Sequence, residues 1–201
     1  MSVLLIHSHF GAVAPGYAEA ALEGRLAIVR ERDLGPADFA RASGLITTTH
    51  LDQIGLLAHA EPLTALLDRG GRWFFNGHML RSFVAGLGRY VPIKAPRRPD
   101  YKLTRLYEHP IFSGIEQSEL EENKGVAGFY GRGHNPLPEG ARAVNGIGPA
   151  LLPVDWVWAR PAGGHIFSHA GNDLSGMIGD HGHGAVLTQR IIAWCEERLE
   201  A

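Results

Sequence analysis

Short apolar runs alternate with amphipathic stretches through the first 87 residues of the chain. Ser2 to Ile6 is a continuous apolar run ending in His7-Ser-His9, the pattern of a central strand. Phe10 to Gly16 reads as a loop, Tyr17 to Glu23 as two turns of helix and Leu26 to Arg30 as a second strand. Asp33-Leu-Gly-Pro36 breaks the chain before a short helix, Ala37 to Ala42. The β-branched segment Gly44 to His50 predicts a third strand. Asp52 is a suitable N-cap for a helix from Gln53 to Arg69, whose Leu56, Leu63, Leu66 and Leu67 recur at helical spacing. Gly70-Gly71 ends it. Arg72-Trp-Phe-Phe then leads into Asn76-Gly77, a tight turn, and a predicted helix from Leu80 to Leu87.

Strand and helix in alternation argue for a three-layer α/β/α sandwich around a mostly parallel sheet. The second half is less regular. Tyr90 to Pro99 reads as a surface segment, Tyr101 to Glu108 alternates like a strand, and His109 to Ile115 is rich in turn residues. Glu116 to Lys124 is a charged, solvated stretch, followed by short strands at Val126 to Tyr130 and Ala143 to Asn145 around the loop Gly131 to Gly140. Val154 to Ala159 and His165 to His169 predict a hairpin across Arg160 to Gly164. Leu187 to Leu199 closes the chain as an amphipathic helix, with Leu187, Ile191, Trp194 and Leu199 facing inward.

With 201 residues, 45% hydrophobic and 20% charged, residues 1–201 are expected to form a single domain. A net charge of −2 gives no reason to expect nucleic acid as a partner. No apolar run reaches the ~20 residues of a membrane helix, so no membrane partner and a cytoplasmic address are expected. The first apolar run is too short for a signal peptide. The single cysteine, Cys195, excludes an internal disulfide and any multi-cysteine metal site. Its place beside Trp194 in the closing helix suits packing and not attack.

The candidate chemistry lies in the eleven histidines. Five of them, His7, His9, His50, His78 and His169, stand at or just beyond predicted strand ends. In a parallel sheet those ends open on one side, where ligands bind. His78 follows the Asn76-Gly77 turn, a bend at which other enzymes carry a nucleophilic Ser or Cys. An imidazole there serves as general acid or base. We assign His78, His7, His50 and His169 as candidate catalytic residues. His9, Asn76, Gly77, Asn172, Asp173 and His134, the last on the loop Gly131-Arg-Gly-His134, are candidate substrate-binding residues.

A plainer reading stands beside each assignment: a strand-end histidine that only bonds a backbone group. His59 and His165 are expected to be structural or exposed. Asp180-His-Gly-His183 reads either as a loop folding over the same edge or as turn chemistry. His-X-His at 7 and 9 suits chelation, so a divalent metal held by His7, His9, His78 and His169 is one reading, although no second dense ligand motif accompanies it. Trp156 and Trp158 share one face of a strand and suit core packing or a homo-oligomer contact, with sugar stacking a further reading. Neither a Gly-X-Ser-X-Gly elbow nor a dinucleotide fingerprint after the first strand is present.

Phe74-Phe-Asn-Gly-His78, His109-Pro-Ile-Phe-Ser-Gly-Ile115 and Pro153-Val-Asp-Trp-Val157, leading into Gly163 to Asn172, resemble the ThuA-like branch of the class I glutamine amidotransferase-like superfamily. The resemblance spans roughly residues 44 to 172. It implies a flavodoxin-like fold, with His78 where amidotransferases carry their cysteine, and a link to sugar utilisation. His7-Ser-His9 and Asp180-His-Gly-His183 have no counterpart in that pattern. The function it implies is action on, or binding of, a small polar, carbohydrate-like ligand at the strand ends. Alternatives are a non-catalytic binding or assembly domain that lacks the nucleophilic cysteine, and a metal-dependent hydrolase. A glutaminase would need a cysteine at position 78.

Overall fold

The computed structural model describes residues 2–123, 125–177 and 182–199. Its first half runs β1 (Ser2–His7), α1 (Pro15–Leu22), β2 (Leu26–Arg30), α2 (Pro36–Arg41), β3 (Ala42–Thr47), α3 (Gln53–Leu57), α4 (Ala60–Asp68) and β4 (Arg72–Asn76). The second half adds the short strands β5 (Val91–Pro92), β6 (Leu103–Arg105), β7 (Glu122–Asn123), β8 (Val126–Ala127) and β9 (Gly133–His134), with α5 (Gln117–Glu121) before β7. It closes with β10 (Arg142–Ile147), β11 (Leu152–Ala159), β12 (His165–His169) and α6 (His183–Cys195).

Among the described residues, eight strands form one sheet in the order β2-β1-β3-β4-β12-β11-β10-β6. The first five are parallel, and β11, β10 and β6 continue the sheet as an antiparallel meander. Helices cover both faces, as expected for a parallel sheet whose strands are buried on both sides. Val3 and Leu5 of β1 face one core with Tyr17, Phe74, Phe167, Leu187, Ile191 and Trp194. Leu4 and Ile6 face the other, with Phe39, Leu63, Leu66, Trp73, Phe75, Trp156 and Trp158. The α/β class and the parallel sheet are as the sequence pattern implies.

Three elements differ from expectation. The helix from Gln53 to Arg69 is two helices, because Pro62 cannot donate to Ala58 and its ring collides with that carbonyl in a continuous helix. The chain restarts at Ala60, which places Pro62 in the first turn. The helix from Leu80 to Leu87 is absent. Met79, Phe83, Val84 and Leu87 are buried at helix-like spacing, but the backbone between them is irregular. Side chains take over the backbone bonds: the Met79 amide donates to Asn135 Oδ1 at 2.9 Å and the Leu80 amide to Gln53 Oε1 at 2.8 Å. The closing helix starts at His183, before Leu187, and ends at Cys195. Residues Asp180 and His181 of the predicted late loop lie outside the described residues.

Candidate functional site

Because β1, β3, β4 and β12 run the same way, their carboxyl ends form a single rim. His169 is in register with Asn76 across β12 and β4, and Asn76 precedes the bend that carries His78. His7 ends β1, and the residues from Thr48 to His50 continue beyond β3. On this rim the histidines fall into three settings.

The first contains His7, His9 and His50. The rings of His7 and His9 stack with centroids 5.6 Å apart, and His9 meets His50 edge-on at 5.8 Å. The two loops are tied together by the Asp52 amide, which donates to Ser8 Oγ at 2.8 Å. His7 is 6% exposed and its Nδ1 has no hydrogen-bond partner among the described residues. Burial, then the nearby His9 and Arg30, holds its pKa below the ordinary imidazole value. Next to them Asp173 accepts the Thr49 amide at 3.0 Å, and burial raises its carboxyl pKa.

The second setting is the bend. Gly77 has φ +108°, and a Cβ there would lie 3.0 Å from Thr49 Cα, so the chain turns here only as glycine. Its amide donates to the His169 carbonyl at 2.8 Å. The His78 carbonyl accepts from Gln53 Nε2 at 2.6 Å, and Asn135 Nδ2 donates both to the Gly77 carbonyl and to Ser168 Oγ. Asn76 spans the neighbouring strand, donating to the Thr47 carbonyl. With its backbone held, the His78 imidazole lies face to face on Tyr90, centroids 3.7 Å apart and planes 14° apart. It opens into a crevice of about 280 Å³ lined by Gly128, Phe129, Gly131, Arg132, Gly171 and Asn172. Burial, and then the charge of His169, lowers the His78 pKa. At neutral pH the ring is therefore an unprotonated base.

The third setting is buried. His169 Nδ1 faces Asp155 Oδ1 at 2.6 Å, and its Nε2 faces the Asn172 carbonyl at 2.9 Å. The other Asp155 oxygen accepts from the Tyr130 hydroxyl at 2.5 Å and from Asn145 Nδ2 at 2.6 Å. Arg105 Nε closes the chain on Asn145 Oδ1 at 2.7 Å. Nε2 donates to the Asn172 carbonyl, and Nδ1 shares a short hydrogen bond with the Asp155 carboxyl group, so both ring nitrogens are committed. Gly171 lets the turn fit, because a Cβ there would stand 1.6 Å from the Tyr130 carbonyl oxygen.

The structure thus places the predicted residues on one rim but not around one point. The ring lying against His78 is that of Tyr90, whereas His7, His9 and His50 contact one another. His169 spends both nitrogens on fixed partners and has none for substrate or metal. The conditional ligand set His7, His9, His78 and His169 is therefore not assembled, and among the described residues no three His, Cys, Asp or Glu side chains are grouped to hold a metal ion. Asn172 lines the crevice and donates to the Phe129 carbonyl, while Asp173 faces Thr49. His134 pairs with Val91 at the β5–β9 ladder, and burial lowers its pKa. His59 stacks on Phe39, and His165 starts β12 at the opposite rim.

Sequence reasoning passed over Asp155, Tyr130, Asn145, Arg105 and His109. A signal for Asp155 existed: a carboxylate between Val154 and Trp156 in an apolar strand demands a buried partner. His109 is buried, its Nδ1 accepts the Ile111 amide, and its Nε2 has no partner among the described residues. Burial takes its pKa down to about 4, with nearby Asp155 opposing and Arg72 and Arg105 adding to the fall. Cys195 is buried, its thiol donates to the Leu45 carbonyl, and burial pushes its pKa up.

No protein-family model matches the sequence, and neither does any curated protein. Solved structures do share its fold. Cytoplasmic protein STM3548 of Salmonella typhimurium superposes with a TM-score of 0.60 at 10% identity, covering 96% of this chain and 98% of that one. Cytoplasmic protein STM1381 of the same organism gives 0.54 at 10% identity with full coverage of both chains. A Thermoplasma acidophilum protein assigned as a GMP synthase subunit gives 0.58 at 14% identity, covering 98% of this chain and 95% of that one. At these identities the likeness is one of fold: the chain adopts an α/β architecture similar to those of these three proteins.

Proposed function

We propose that the protein is a ThuA-like member of the amidotransferase-like superfamily that binds, and acts as an acid/base on, a small polar, carbohydrate-like molecule in the His78 crevice. The observation that carries this reading is the state of His78. It sits at a backbone-locked bend, stacks on Tyr90, borders a crevice and has its pKa lowered by burial and by His169. An unprotonated imidazole beside the Arg132 guanidinium and the Asn172 amide supplies a base, a cation and a neutral hydrogen-bonding group, which suit a polyhydroxylated ligand. Glutamine hydrolysis is disfavoured because the bend carries no thiol and Cys195 is buried.

The test is a panel of neutral monosaccharides and sugar acids, screened by saturation-transfer NMR and then for turnover. His78→Ala should abolish turnover of any hit and leave the melting temperature nearly unchanged. Undiminished turnover in that variant rules out His78 as the acid/base.

A further inference from the structure

The imidazoles of His7 and His9 at the end of β1 and of His50 beyond β3 take no part in the His78 reading. His7 leaves the strand on the same face as Val3 and Leu5, the face covered by α1. It is nearly fully buried, yet its Nδ1 has no partner among the described residues. A buried polar atom of this kind marks a place for a water, an ion or a ligand group. The rings of His9 and His50 extend the cluster outward, and His50 is exposed. Arg30 Nη2 donates to the His9 carbonyl at 2.7 Å, and its guanidinium lies 5.3 Å from the Phe10 ring centroid, so a fixed cation borders the loop. The helix that follows, α1, begins at Pro15 with no side-chain cap and no acidic residue in its first turn. Its positive end is therefore not neutralised locally.

Two acidic groups around the cluster, Asp173 and Asp52, already accept backbone amides. Asp173 accepts the Thr49 amide, and the Asp52 carboxylate caps α3 through the Ile54 and Gly55 amides. Glu31 neighbours Asp52, its carboxyl pKa raised by burial and then by that like charge, and the Tyr17 hydroxyl neighbours Asp173. Three imidazoles and a guanidinium, with Asp173 and Asp52 committed to backbone amides, favour an anion over a metal ion.

We propose that the loop joining β1 to α1, with His7, His9, His50 and Arg30, binds a small doubly charged oxyanion such as a phosphate or sulfate group. This site is distinct from the His78 crevice and does not depend on the reading given to it. Protonation of the imidazoles strengthens the attraction, so binding tightens as pH falls.

Sulfate is the probe, because it keeps its double charge throughout the imidazole range. Calorimetric titration at constant ionic strength, at about pH 8 and about pH 5.5, brackets that range. We expect saturable binding that is at least about tenfold tighter at the lower pH. A variant carrying His9→Gln and His50→Gln should lose about tenfold or more at the lower pH, whereas His78→Ala should bind sulfate as the parent protein does. If the double variant melts early, Arg30→Gln supplies the same comparison. Absence of saturation, unchanged affinity in these loop variants, or binding that vanishes with a chelator overturns the proposal.

Discussion

The imidazole of His169 stands between the carboxylate of Asp155, 2.6 Å from Nδ1, and the carbonyl of Asn172, 2.9 Å from Nε2. One residue thereby joins the buried polar network Arg105–Asn145–Asp155 to the turn that walls the crevice. Its proximity also adds, after burial, to the lowering of the His78 pKa. Structure and chemistry meet at this pair.

Asp155→Asn removes the buried carboxyl group that His169, Tyr130 and Asn145 all bond. We expect a loss of about 3–5 kcal/mol of unfolding free energy, read from urea titration at neutral pH. A loss below about 1 kcal/mol is what an exposed ion pair shows, and is not expected for this one.

Gly171→Ala places a methyl group on the Tyr130 carbonyl and beside His169 Nε2, 1.6 and 2.7 Å away. The variant should lose about 3 kcal/mol or more, seen as a lower melting temperature and lower soluble yield. Gly70→Ala is a useful contrast: its φ of +99° is strained, but open space surrounds the new methyl, so only about 1–3 kcal/mol is expected.

His109 gives the fold an acid limit. Burial lowers its pKa from 6.5 to about 4, so the unfolded chain binds this proton more readily than the folded one. Its contribution is fully present above about pH 6.5 and is lost as pH falls toward about 4, worth about 3 kcal/mol at most. His7, His78, His134 and His165 act in the same direction. Urea denaturation across this window should show stability falling with acid, and His109→Phe should flatten the slope.

Cys195 should resist alkylation in the native protein and react once urea opens the fold, because its thiol is buried and bonded to Leu45. Rapid labelling without unfolding is the contrary result, checked by intact-mass spectrometry.

Much of the fold was legible in the sequence because local patterns and tertiary packing agreed. The segments Ser2–Ile6, Leu26–Arg30 and Arg72–Asn76 are strands at or within a residue of their predicted bounds, and the 154–169 hairpin is present. The missing helix after Leu80 shows where the pattern misleads: Met79, Phe83 and Leu87 carry a helical period, but Asn135 and Gln53, remote in sequence, claim the backbone amides. The rim histidines were legible as strand ends. Their division into a cluster of His7, His9 and His50, a Tyr90-stacked base and a buried, fully bonded ring was not, because it depends on Tyr90, Asp155 and Asn172 reaching them through space.

The most direct test is the proton affinity of His78 itself, followed by 1H–13C NMR of its Cε1 resonance and assigned by comparison with His78→Gln. The account predicts titration clearly below the ordinary imidazole value of 6.5, so that the ring is neutral at physiological pH. Titration at or above 6.5 contradicts it and leaves His78 without the character of a poised base.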